Sequence, residues 1–170
     1  MATLIKQRRV AADNWRMLEP GPGGILPADA GAGDVIVPLA LWRSRRDELL
    51  ARSHRLGVRL QAGDEVEALA GDLGHLAVIA IDFAKFGDGR GFSSARLLRE
   101  RYGYAGELRA IGEFLPDQLP LLARCGFDAF VLRDGQEAEE ALRAFDDFSE
   151  AYQASVTQPL PLFRRRSVRA

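Results

Sequence analysis

The chain has 170 residues, of which 23 are lysine or arginine and 24 are aspartate or glutamate, so its formal net charge at pH 7 is −1. A protein this close to neutral has no overall attraction to nucleic acid or to an anionic membrane, and we expect neither as a partner. The single cysteine, Cys125, excludes an internal disulfide bond, and with only two histidines the sequence predicts no metal site. No apolar run reaches the length of a membrane span, so we expect a cytoplasmic protein.

The first 33 residues predict a small unit that precedes the main domain. The stretches LIKQRRV and NWRML favour two short strands that form a β-hairpin around AADN. Residues 19–33 are rich in proline and glycine, which predicts a connector without regular structure. We therefore expect residues 1–33 to be a hairpin appendage with a connector.

Residues 34–155 alternate between strand-like and helix-like segments, as expected for an α/β domain. Five apolar runs favour strands: DVIVPLAL, VRLQ, LAVIAIDF, ELRAIGE and DAFVLR. The segments between them have helix signals, and the last helix is expected to run through QEAEEALRAFDDFSEAYQA. Residues 156–170 predict a flexible basic tail. The expected helix caps are Asp64, Ser93 or Ser94, and Asp117, with Gly103 as a C-terminal stop.

Five strand–helix units in succession predict a parallel sheet with right-handed crossovers. Two architectures satisfy this pattern: a flavodoxin-like three-layer sandwich, and a half-barrel of the (β/α)₈ type. The half-barrel predicts a homodimer, because an open sheet edge favours association with a second copy. The sequence does not distinguish the two architectures.

The loop after the third strand, FAKFGDGRGF, has the composition of an anion site. In both architectures, ligands bind beyond the carboxyl ends of the parallel strands. Arg90 offers a planar donor fork for an oxyanion, and Lys85 adds a second positive charge. Gly87, Gly89 and Gly91 would allow close approach of the backbone or a positive φ angle. The alternative is a plain strand-to-helix turn in which Arg90 pairs with a neighbouring aspartate.

Candidate site residues follow from their position after the predicted strands. Trp42 and Arg43, after the first strand, are expected on the same rim. The acids expected to orient a substrate or transfer a proton are Asp82, Glu113 and Asp117. The candidate ligand-binding residues are Lys85, Asp88, Gly89, Arg90, Gly91, Ser93, Gln118 and Arg133.

Residues 83–130, FAKFGDGRGFSSARLLRERYGYAGELRAIGEFLPDQLPLLARCGFDAF, resemble the bacterial family known as domain of unknown function 934. Members carry a Phe-Pro-Lys-Phe-Thr-Asp-Gly-Arg-Gly run, followed by matches to ARLLR, GELRA, DQL and RCGFD. This chain departs from the run at Ala84, where proline is usual, and at Gly87, where threonine or serine is usual.

The resemblance implies a role in assimilatory sulfate and sulfite reduction, because family members are encoded beside sulfite reductase. It also implies an oxidoreductase label, which the sequence itself does not support, since it has no dinucleotide fingerprint, cysteine pair or haem signature. Neither the sequence nor the resemblance identifies a cofactor. Two functions stay open: a binding protein or oxidoreductase component that takes a small oxyanion or phosphorylated ligand, and a non-catalytic accessory protein that binds or stabilises sulfite reductase or a neighbouring enzyme.

Overall fold

The protein has a mixed α/β fold built on one curled sheet. The computed structural model describes residues 2–21, 23, 25, 33–147 and 150–168, so the predicted connector lies largely outside the described residues. The eight described strands are β1 Thr3–Lys6, β2 Arg9–Ala11, β3 Arg16–Met17, β4 Val35–Pro38, β5 Leu56–Gln61, β6 Leu76–Phe83, β7 Glu107–Gly112 and β8 Ala129–Leu132. They lie side by side in the order β2-β1-β8-β7-β6-β5-β4-β3.

The described helices alternate with the strands from β4 onward. They are α1 Leu39–Leu50, α2 Arg90–Arg96 with a π-helical continuation at Leu97–Arg101, α3 Leu119–Arg124, α4 Ala138–Ala144 and α5 Leu162–Val168. The helix expected in DEVEALAGDLG is replaced by two 3₁₀ turns, Val66–Leu69 and Leu73–His75. Asp64 does not cap them; its carboxylate accepts a hydrogen bond from the N–H of Gln61 at 2.8 Å.

The five strands predicted in the α/β part correspond to β4–β8. Neighbouring strands among them are parallel, as predicted. The sheet also contains the three N-terminal strands: β3 is parallel to β4, whereas β1 is antiparallel to both β2 and β8. The sheet therefore has three strands in addition to the five predicted parallel ones.

The distribution of apolar side chains decides between the two predicted architectures. Alternate residues of a strand point to opposite faces of the sheet. On β6, Ile79 and Ile81 join a large core that also contains helix residues such as Leu49. Val78 and Ala80 belong to a smaller core, which holds no residue of a described helix. The helices thus cover one face, which is the arrangement of a half-barrel and not of a three-layer sandwich.

A short linker forces the sheet to curl. Eight strands about 4.8 Å apart would span roughly 34 Å if the sheet were flat. The chain passes from Ala11, the end of β2, to Arg16, the start of β3, through residues 12–15. These five peptide steps reach at most about 18 Å. The two edges must therefore approach each other, and the linker crosses the concave face. We call residues 12–15 the strap.

A buried ion network holds the strap on the concave face. Arg109 of β7 is only 1% exposed, and its Nη1 donates to both carboxylate oxygens of Asp13 at 3.0 and 2.9 Å. Its Nε donates to Glu107 at 2.7 Å, and Lys6 Nζ donates to the same carboxylate at 2.6 Å. Trp15 packs against the smaller core. The interior of the half-barrel is therefore closed by the chain's own N-terminal segment.

The predicted hairpin between LIKQRRV and NWRML is wrong: β1 and β2 both lie largely within LIKQRRV and pair with each other, whereas NWRML contains β3, which pairs with β4 at the opposite edge of the sheet. The turn lies at Gln7 and Arg8, not at AADN, which includes the first three residues of the strap. Both turn residues have positive φ angles, 50° and 58°, a region where side-chain-bearing residues are strained. The hairpin is no appendage, because β1 pairs with β8 inside the sheet.

Three other element boundaries differ from the predictions. Helix α1 begins at Leu39, inside the predicted strand DVIVPLAL. The last predicted helix ends at Ala144, and Phe148, which lies within the predicted range, is outside the described residues. The predicted irregular tail contains α5. The predicted C-terminal stop at Gly103 is confirmed, with a φ angle of 63°.

We expect Asp13→Ala to lower the free energy of unfolding by about 2–3 kcal/mol, because it leaves the buried Arg109 guanidinium with one carboxylate partner fewer. Asp47→Ala is the matched control, since Asp47 forms an ion pair with Arg46 but its side chain is 96% exposed. The control should change stability by no more than about 0.5 kcal/mol. Urea unfolding of the three proteins measures both values, and equal effects would contradict a buried role for Asp13.

Candidate functional site

The carboxyl ends of β5–β8 lie side by side and form a rim with two pairs of ionisable side chains on it or next to it. Asp82 points to the concave face, because its neighbours Ile81 and Phe83 lie in the core under the helices. One of its carboxylate oxygens would be 2.6 Å from a Cβ atom on Gly112 of the adjacent strand. Gly112 also has a φ angle of 90°. A glycine is required at this position both by the backbone and by the carboxylate packed against it.

Arg59 lies beside Asp82 on the concave face. It is an inward residue of β5, since Val58 and Leu60 belong to the outer core. Its Nη2 is 2.8 Å from a carboxylate oxygen of Glu19, and its buried Nε has no hydrogen-bond partner among the described residues. Burial raises the pKa of Asp82, and the charge of Arg59 opposes that rise. The rim thus combines a carboxyl group whose pKa is raised by burial with a guanidinium group.

Glu113 and Arg133 form the second pair on the rim. Glu113 follows β7, and its N–H donates to the carbonyl of Phe83 at the end of β6. Its carboxylate accepts a hydrogen bond from Arg133, which follows β8. Gln136 secures the same region by donating from Nε2 to the carbonyl of Phe114 at 3.0 Å. The structure therefore places Glu113 and Arg133 in contact, after the two strands that follow β6, whose end carries Asp82.

In the DGRG loop, Arg90 pairs with Asp88. The Nε and Nη2 atoms of Arg90 donate to the two oxygens of Asp88 at 2.9 and 2.7 Å, and the N–H of Arg90 donates to the same carboxylate at 3.2 Å. These bonds lower the pKa of Asp88 to about 2. The Arg90 side chain is still 65% exposed, and Lys85 is exposed nearby. The donor fork is thus engaged within the loop, and an incoming anion would have to compete with Asp88.

The sequence suggested two roles for the loop glycines, close approach of the backbone or a positive φ angle, and the structure shows no positive φ at any of the three. Gly87, Gly89 and Gly91 are absent from the described residues with positive φ. A Cβ atom on Gly91 would lie 2.7 Å from the ring of Phe83, so this glycine lets α2 pack closely on β6. A Cβ atom on Gly89 would meet nothing within 4 Å. The N-cap residue of α2 is Gly89, and the Asp88 carboxylate accepts a hydrogen bond from the N–H of Arg90, the first helical residue; Ser93 and Ser94 lie inside the helix and do not cap it.

Three predicted residues lie elsewhere or have structural roles. Asp117 does not cap α3; it lines a cleft on the outer side of that helix. Gln118 accepts a hydrogen bond from the N–H of Leu115 at 3.1 Å and so shapes the turn. Trp42 is not on the rim: it is buried in α1, and its indole N–H donates to Asp72 at 3.2 Å.

Arg59 is the rim residue that sequence reasoning missed. The signal was present in VRLQ, where Arg59 and Gln61 alternate with apolar residues. In a strand buried on both faces such polar positions mark the face that carries a site or an ion network. The same pattern in ELRAIG marks Glu107 and Arg109 of the strap network.

Within the described ranges, no group of three or more histidine, cysteine or carboxylate side chains is placed to hold a metal ion. No described helix is long and apolar enough to cross a membrane.

A family model described as "Bacterial protein of unknown function (DUF934)" matches residues 57–163, which is more than half of the chain. The chain belongs to this family. No curated protein and no solved structure matches it. The DUF934 match includes Arg59, Asp82, the DGRG loop, Glu113 and Arg133, whereas the strap lies outside it.

The roles of the two DUF934 loop glycines can be separated by stability. We expect Gly91→Ala to lower the free energy of unfolding by about 1–3 kcal/mol, because the ring of Phe83 is held by Phe92 and Phe127 and cannot move aside. Gly89→Ala should be neutral or stabilising by up to about 1 kcal/mol, since its φ of −77° suits alanine. Chemical denaturation would contradict this reading if the two variants behaved alike.

Asp82 and Asp88 should affect stability with opposite dependence on pH. A carboxyl whose pKa is raised in the folded state costs stability as pH rises above its unfolded pKa of about 3.9, and the loss is complete once pH passes the folded pKa. Asp82→Asn should therefore be more stable than wild type at pH 7 and lose that advantage near pH 4. Asp88 has a lowered pKa, so Asp88→Asn should be less stable at pH 7, and the deficit should shrink as pH falls towards 2. Thermal unfolding between pH 3 and 8 checks both; slopes of the same sign would refute the assignment.

Proposed function

We propose that this DUF934 protein binds a small oxyanion or a phosphorylated ligand on the rim, as part of assimilatory sulfite reduction. The observation that carries the proposal is the adjacency of Asp82, whose pKa burial raises, and Arg59, whose buried Nε lacks a partner among the described residues. Ionisable groups with shifted pKa values at the carboxyl ends of parallel strands are typical of ligand sites in barrel-like folds. The sulfite-reduction context comes from the family resemblance.

In this proposal each rim residue has a separate role in binding the anion. Arg59 donates hydrogen bonds to oxygens of the anion from its guanidinium group, including the Nε that lacks a partner among the described residues. Asp82 exchanges a proton with an anion oxygen, or shares one with it in a hydrogen bond. Arg133 and Lys85 add positive charge at the edge of the site, and Arg90 becomes available where the ligand displaces it from Asp88.

An oxidoreductase role would need chemistry that side chains of this chain do not supply. Cys125 is half-buried, burial raises the pKa of its thiol, and the chain has no second cysteine with which to form a disulfide. A redox step would require a flavin or nicotinamide cofactor, whose phosphate would rest on the same cationic rim. We therefore propose binding as the primary function, with redox catalysis dependent on such a cofactor.

The second candidate function is an accessory role, in which the rim docks on sulfite reductase or a neighbouring enzyme. It is favoured by two exposed apolar side chains, Phe86 at 54% and Leu115 at 39%, on the loops that follow adjacent strands. Exposed apolar groups of this kind are typical of protein contacts. Affinity purification with tagged wild type and Phe86→Ser distinguishes this role: a stoichiometric enzyme partner that is lost in the variant would favour it.

The binding proposal is tested by thermal unfolding with sulfite, sulfate, phosphate, adenylyl sulfate compounds, flavin mononucleotide and the nicotinamide cofactors. A ligand at 100 times its dissociation constant stabilises the folded state by about 2.7 kcal/mol, which is roughly 5–10 °C for a protein of this size. We expect the shift in wild type to disappear in Arg59→Gln, to weaken in Arg90→Ala and to persist in Arg143→Gln. Arg143 is an exposed arginine of α4 and serves as the control.

Each shift is measured against the same variant without ligand, because Arg59→Gln also removes the contact with Glu19. An equal shift in wild type and Arg59→Gln would overturn the placement of the site. No shift with any compound would overturn binding of these ligand classes and leave the accessory role.

A further inference from the structure

A cleft of about 510 Å³ lies on the outer side of α3, away from the concave face. One wall is the exposed face of the helix, and the other is formed by residues 150–151 and 157–158 of the C-terminal segment. Its volume is within the usual range for small-molecule sites. The rim residues proposed above do not line it.

The helix wall presents an apolar centre between charged ends. Asp117, Pro120, Leu121 and Arg124 are spaced i, i+3, i+4 and i+7, so they lie along one face. Leu121 is 48% exposed at the middle of this face. Phe145, at the end of α4, adds an aromatic ring to the lining. A large apolar side chain left exposed within a cleft favours contact with an apolar ligand.

Two guanidinium groups lie at one end of the cleft. Arg124 ends α3 four residues before Asp128, and the carbonyl of Asp128 accepts the N–H of Gln7, so the hairpin turn brings Arg8 to the same end. Arg8 lies 5.0 Å from the ring centre of Phe145 and 3.6 Å from Asp146. The Nη2 of Arg124 donates only to a backbone carbonyl, that of Gln153, and its buried Nε has no partner among the described residues.

The two described acids that line the cleft do not pair with these guanidinium groups; Asp146, which lies near Arg8, is outside the lining and 82% exposed. Glu150 is paired with Arg165 at 2.7 Å. Asp117 lies at the far end of the helix face, seven residues from Arg124, or roughly 10 Å along the axis. The cleft is therefore polarised along its length, with its positive end at Arg8 and Arg124.

The backbone that positions Arg8 at the cleft has an unfavourable conformation. Gln7 and Arg8 both adopt positive φ angles in a two-residue hairpin turn, where asparagine and glycine are the usual residues. The turn places Arg8 over Phe145 at the mouth of the cleft. Residues in this backbone region cluster at ligand-binding and active sites.

We propose that this cleft binds an anionic amphiphile, with its apolar body on Leu121 and Phe145 and its acidic group at Arg8 and Arg124. The ligand class comprises short fatty acids and aryl carboxylates or sulfonates. The proposal is independent of the rim site.

The test is a fluorescence titration of the folded protein with 8-anilinonaphthalene-1-sulfonate. Wild type should bind one molecule per chain, and Leu121→Asp should weaken binding at least tenfold, because it places a carboxylate in the apolar centre. Leu160→Asp is the matched control: Leu160 is 47% exposed and does not line the cleft, so the variant should bind within twofold of wild type. Equal weakening in both variants, or none in Leu121→Asp, would overturn the proposal.

Arg8→Gly separates binding from folding. Glycine relieves the positive φ angle, so the thermal midpoint should not fall, whereas the dye affinity should drop at least fivefold with the lost cation. Unchanged affinity in a folded variant would refute the role of Arg8. Competition then distinguishes the two sources: displacement by decanoate indicates an aliphatic ligand, displacement by 1-naphthalenesulfonate an aromatic one, and displacement by neither would overturn the assigned class.

Discussion

The fold depends on the strap, a four-residue crossing between opposite edges of an eight-stranded sheet. Because the crossing is about half as long as the flat sheet would be wide, curvature is imposed by the covalent chain and not only by strand twist. The Arg109–Asp13 ion pair then fixes where the crossing lies. Curvature brings the carboxyl ends of β5–β8 into an arc, and this arc is what assembles side chains from four strands into one rim.

The curled sheet also separates two kinds of interior. The face under the helices is almost wholly apolar and contributes most of the buried surface. The concave face has few apolar residues and carries buried charges, which are stabilised by pairing at its lower end and left only partly paired at the rim. Buried charges that lack partners cost stability. The partly paired charges at the rim therefore lower the free energy of unfolding more than the paired charges elsewhere on the concave face. The raised pKa of Asp82 agrees with this.

The sequence predicted the parts of the fold that depend on local pattern. The alternation of apolar runs and helical segments was sufficient for β4–β8 and for the rim that follows them. The N-terminal strands were misplaced, because pairing of β1 with β8 depends on residues that are distant in sequence. Two positive φ angles at Gln7 and Arg8 hid the true turn, since neither residue is typical of one. For the DGRG loop the sequence left two possibilities open, a free Arg90 fork and an Arg90–aspartate pair, and the structure shows the pair with Asp88. The choice depends on side-chain geometry that residue spacing does not determine.

The pairing of the first strand with the last has a consequence for how the chain folds during synthesis. Arg109 and Asp13 are 96 residues apart, and β1 lies next to a strand that ends at Leu132. The N-terminus therefore leaves the ribosome long before its partner strand exists, and β4–β7 are the first strands able to form a native parallel sheet. Contacts between such distant segments form late and slowly, because a long loop must close before they stabilise anything. We therefore expect closure of the half-barrel by the strap to come late in folding, with the concave face and its charged groups open to water until then.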